Sequence, residues 1–103
     1  MVTDNIAEDP GSAYALAPSI IREITWVFAT ARNFGRLTDP RQYWLRKAAV
    51  FDRIALSGQC VVTDANAAAE EAAGHLIEHD RAGTTDGLRE YVRREYARWS
   101  ATQ

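Results

Sequence analysis

Between Asp39 and Gly58 apolar residues occupy most of the helical circumference, and polar ones are confined to a narrow arc. Asp39 offers a carboxylate to first-turn amides, and Pro40 sits where no amide donor is missed. Gln42 follows Asp39 by three, in capping-box register. Gly58 reads as the stop. On a wheel, Trp44, Ala48, Phe51 and Ala55 form one face, Tyr43, Val50 and Ile54 a second, and Leu45, Ala49 and Leu56 a third. Gln42, Arg46, Arg53 and Ser57 are left as the plainly polar arc. A helix apolar on so many sides needs neighbours on two or more of them, which places it centrally in a bundle.

Three further helices surround it in sequence. Pro18 and Ser19 precede the stripe Ile20, Ile24, Val27, Ala31 and Phe34, whose alternating steps of four and three keep one face, with Ile21 and Phe28 on its flank. Gly35 is the expected C-cap. Thr63 or Asp64 opens a third helix to about Asp80, with Ala65, Ala69, Ala72 and Leu76 inward, Ala68 and Ala73 beside them, and Gly83 as terminator. Alanine on a contact face lets a neighbouring helix come close. Thr85 or Asp86 opens a fourth helix with Leu88, Val92, Tyr96 and Trp99 inward and Tyr91 at the edge.

Short connectors favour antiparallel neighbours. The expected fold is therefore all-α, a small four-helix bundle of up-down, antiparallel topology. A three-helix core with the first helix exchanged into a dimer is the alternative. Residues 1–17 lack periodicity and are expected as a flexible N-terminal arm, with 18–103 as a single helical domain. Val61 and Val62, with no second strand to pair with, read as a plug at one end of the core.

Composition narrows the functional classes. One cysteine, Cys60, excludes an intrachain disulfide and fits a reducing cytoplasm, where it reads as a small buried hydrophobe. The N-terminus shows no charged-then-apolar leader, and no apolar run approaches the roughly 18–20 residues that span a bilayer. Arginine far outnumbers lysine and alanine is abundant, habits of GC-rich bacterial genomes. A net charge of −2 argues against bulk nucleic acid as a partner but leaves room for a local basic patch.

That patch is Arg32, Arg36 and Arg41, around the turn between the first two helices. It could face phosphates, as in a nucleic-acid-associated regulator, or complement the third helix, which carries five acids and no base from Asp64 to Asp80. The second helix is too apolar to lie in a DNA groove. His75-Leu76-Ile77-Glu78-His79 has the H-x-x-E-H spacing that puts two histidines on one helix face, with Glu71 four residues before His75. The chain is short for a metallopeptidase and lacks a clear downstream glutamate ligand. No metal or other cofactor is expected. Glu95 falls on the inward stripe of the fourth helix, where a carboxylate needs a donor such as Arg46 or Arg53. Arg89, Arg93, Arg94 and Arg98 read as a solvated face.

No catalytic constellation, phosphate loop or paired cysteine motif is present. The expected role is protein contact, as a homodimer or with another protein. The expected anchor is Trp26, on the side of the first helix away from the Ile20 stripe, with Arg22 and Asn33 beside it. The arm carrying Tyr14 and Leu16 could cover Trp26; so could a second chain.

Overall fold

The computed structural model describes residues 10–33, 35, 39–57, 64–83 and 87–103. It is a small all-α four-helix bundle: α1 (Ile20–Arg32), α2 (Pro40–Ser57), α3 (Asp64–Asp80) and α4 (Leu88–Ser100), preceded by a 3-10 turn at Pro10–Tyr14. Phe34, Gly58, Cys60, Val61, Val62, Thr63, Thr85 and Asp86 lie outside the described residues.

Helix starts follow the capping chemistry. Ser19 Oγ accepts the Arg22 amide at 3.3 Å, and Asp39 Oδ1 accepts the Gln42 amide at 3.2 Å. Gly87 is the N-cap of α4, and its amide donates to Glu90 Oε1 at 2.9 Å. The ends are less regular. α1 closes at Asn33 rather than at Gly35: the Asn33 amide donates to Thr30 O and its side-chain amide to Ala29 O. α3 closes at Arg81, in the left-handed region at φ 54°, with the Ala82 amide reaching back to Ile77 O. Glycine would adopt that backbone without penalty, yet the glycine stands two residues later, at Gly83.

α2 is the hub. Its Leu45, Ala48 and Ala49 are buried against Ala72, Ala73 and Leu76 of α3 and Tyr91, Val92 and Tyr96 of α4. The alanines of α3 line its contact with α2, the most extensive helix–helix contact among the described residues. On its opposite side α2 presents Tyr43 and Val50 to Val27 of α1, forming a second, smaller core rimmed by Ile20, Ile24, Trp26 and Ile54. Trp44 borders both cores.

The described part of the N-terminal segment is docked: Tyr14 is buried in the main core and meets Tyr96 edge-on at 5.3 Å between ring centroids. Tyr14 Oη donates to Asp52 Oδ2 at 2.5 Å. A buried hydroxyl with an ionic acceptor holds the described part of the segment in place.

Among the described residues, three ionic clusters tie the helices together. At the first, Asp52 is fully buried on α2 and accepts Arg89 Nε at 2.5 Å, Arg93 Nε at 2.8 Å, Arg93 Nη2 at 3.0 Å and the Tyr14 hydroxyl. Arg89 and Arg93 thus turn inward instead of forming a solvated face. At the second, Glu23 of α1 is buried and accepts Arg46 Nε at 3.1 Å, with the Tyr96 hydroxyl at 3.4 Å. At the third, Arg41 donates in a fork to both Asp80 oxygens at 2.8 and 2.9 Å and reaches Glu95 at 2.9 Å, while Tyr91 Oη donates to Asp80 at 2.6 Å. Glu95 finds Arg41 and Arg98, not Arg46 or Arg53.

Burial pushes the Asp80 carboxyl up, but the bonds from Arg41, Tyr91 and His79 outweigh it and hold the carboxyl at about 2. Asp52 is likewise held below the ordinary carboxylate range: burial opposes, and the bonds from Arg93, Tyr14 and Arg89 prevail. A depressed folded value means that the stabilisation is present above the unfolded carboxyl value of about 4 and is lost as pH falls through the folded value. Acid should therefore destabilise this chain between about pH 4 and pH 2, by about 2–3 kcal/mol at Asp80, whose carboxyl is shifted by roughly two units. A pH titration of the thermal midpoint checks this. Asp80→Asn should flatten the slope in that window, and an unchanged slope would count against the assignment.

Candidate interaction surface

α1 is the helix whose surroundings differ most from its pattern. Its apolar arc runs from Val27 through Ile20 and Ile24 to Phe28 and Ile21, wider than one neighbour can cover. The Arg46–Glu23 pair decides which part is used. A buried carboxylate must stay with its cation, so α1 is turned to bring Glu23 inward beside Val27. Only one edge of the arc is then sequestered. The remainder faces outward: Ile21 is 68% exposed and Phe28 64%. These two stand seven residues apart on one line, with Thr25 and Arg32 on the same exposed side.

Trp26 is not the exposed residue that the pattern suggests. It is half-buried at the rim of the smaller core, and the Arg46 guanidinium lies 3.8 Å from the centre of its ring. The same guanidinium approaches Trp99 at 5.3 Å. This is a cation–π arrangement within one chain, supplied by α2 and α4. Arg22 is exposed, and Asn33 is exposed with its side-chain amide spent on capping α1. Trp26 and Asn33 therefore lie on the other side of α1 from Ile21 and Phe28, with Arg22 between.

Of the arginine tip, two residues are described. Arg32 is exposed, and Arg41 is engaged by Asp80 of α3 and Glu95 of α4. Arg36 lies outside the described residues. The histidines of the H-x-x-E-H run go separate ways. His75 packs edge-on against Trp44 at 5.5 Å between centroids, and His79 Nδ1 lies 3.2 Å from Asp80. Among the described residues no three His, Cys, Asp or Glu side chains are placed to share a metal ion. No described helix is long and apolar enough to cross a membrane.

The buried phenols offer little chemistry. Burial, reinforced by the Asp52 charge, holds the Tyr14 phenol far above its ordinary value; burial and Glu23 push Tyr96 up to about 12. Neither ionises near neutrality, so both act as hydrogen-bond donors to carboxylates.

No protein-family model, curated protein or solved structure matches this chain.

Proposed function

We propose that this chain is a small cytoplasmic helical protein that acts by protein contact, self-associating or serving as an accessory subunit without catalytic activity, and that the outward face of α1 makes the contact. One observation carries the reading. Ile21 and Phe28 project from a helix whose opposite side is fixed by a buried ion pair, so α1 cannot roll to hide them without stranding Glu23. Burial of each side chain in a partner would contribute about 1.5–3 kcal/mol before the costs of association. The residues nearest this face, Thr25, Arg22 and Arg32, give it a polar and basic rim.

The test is the size of the particle in a concentrated extract of expressing cells, run on a column equilibrated with the same extract so that the chain is never diluted. The wild-type chain should elute well above the size of its 11.5 kDa monomer. Phe28→Asp should elute as the monomer, with helical content unchanged, because affinity falls about tenfold or more for each 1.4 kcal/mol removed. A variant that stays in the large particle, or a wild-type chain that is monomeric in the extract, would overturn the reading.

A further inference from the structure

The outward face of α1 is bulky and basic, and α1 offers no free acid of its own, since Glu23 is buried and paired. Its partner should be small-featured and acidic, with a repeat of seven residues to match Ile21 and Phe28. Seven residues are about 10.5 Å along a helix.

The outward face of α3 has that character. Ala67 and Gly74 stand seven residues apart, on the side of α3 opposite its buried Ala69, Ala72, Ala73 and Leu76. Exposed Glu70, Glu71 and Glu78 border them. No described side chain pairs with these three acids, and none pairs with Arg22 or Arg32. A Cβ added at Gly74 would meet nothing within 4 Å, so the surface there is open.

Within one chain the two faces cannot meet. α1 lies on the Tyr43–Val50 side of α2, whereas α3 packs on the Leu45–Ala49 side. Between two chains they can. Ile21 and Phe28 would enter the gaps over Ala67 and Gly74 as knobs into holes, and Arg22 and Arg32 would reach Glu71 and Glu78.

We infer that the partner of α1 is a second copy of this chain, joined head to tail through the Ala67–Gly74 face of its α3. This rests on the reading of α1 as a contact surface and adds the occupant. Such an interface is heterologous, so it propagates into a ring or an open chain of subunits instead of stopping at a two-fold dimer. One helix face on each side falls short of the roughly 800 Å² per partner of a standard interface, so association is expected in the micromolar range or weaker.

Sedimentation of the purified chain between about 10 and about 500 μM tests this range. The wild type should show a mass rising with concentration beyond two subunits. Gly74→Leu is the sharpest variant: it fills the hole while raising helix propensity. It should be monomeric and no less stable. Arg22→Glu/Arg32→Glu and Glu71→Arg/Glu78→Arg should each weaken association at least tenfold, and mixing the two should restore it. A purified wild type that is monomeric throughout, while the extract particle remains large, would overturn the second copy as partner and leave the α1 surface intact. So would association of Gly74→Leu and Glu71→Arg/Glu78→Arg at wild-type strength.

Discussion

Asp52→Ala should lower the thermal midpoint by about 15–30 °C, the largest loss expected from any single substitution in this chain. The carboxylate is enclosed by α2, α4 and the 3-10 turn and is the common acceptor of Arg89, Arg93 and Tyr14. Its removal leaves two guanidinium groups, each with a side chain less than a fifth exposed, without a counter-charge, and it frees the hydroxyl that docks the N-terminal segment. Breaking one side of such a cluster costs about 3–5 kcal/mol. A domain of this length holds only about 5–15 kcal/mol in all and shifts by about 4–8 °C per kcal/mol. Asp52→Asn, which keeps an acceptor and the shape, should fall between the variant and the wild type. A midpoint within about 5 °C of wild type for Asp52→Ala would mean that the arginines simply reach water and that the cluster contributes little.

The second large effect belongs to Arg46→Ala. Arg46 neutralises the Glu23 carboxylate and fills the space between the Trp26 and Trp99 rings. Its loss strands a carboxylate only 2% exposed and removes packing at the seam between α1, α2 and α4, at about 3–5 kcal/mol. The charge contribution can be separated from the packing. Glu23→Leu combined with Arg46→Met exchanges the ion pair for apolar groups of similar volume and should recover most of the stability, because a well-packed apolar replacement of a buried pair is often neutral. Denaturant unfolding of the single and double variants would decide. A double variant as unstable as Arg46→Ala would show that the pair's geometry, not the uncompensated charge, is what matters.

These two clusters also explain what could be read from the chain and what could not. The caps at Ser19 and Asp39, the alanine face of α3 and the central burial of α2 follow from local chemistry and periodicity, and they stand in the structure. The orientation of α1 does not follow, because its apolar arc is broad enough to permit several rotations. The choice among them is made by Arg46, more than twenty residues away. Asp52 did leave a signal. It falls on the wheel between Leu45 and Ala48, an acid on an apolar face, and Arg89 and Arg93 are spaced four apart as a pair able to meet it. Trp26 misled for a related reason: its cover is a guanidinium from another helix, which no local pattern announces.

The division of the interior by α2 has a consequence for how the molecule comes apart. The larger core engages three helices and the 3-10 turn, whereas among the described residues the smaller holds α1 through Val27, Tyr43 and Val50 with their partly buried neighbours and the Glu23–Arg46 pair with its Trp26 and Tyr96 contacts. The chain is thus two cooperative units of unequal strength. Gentle destabilisation will release α1 first and leave the Leu45–Leu76–Tyr96 assembly closed.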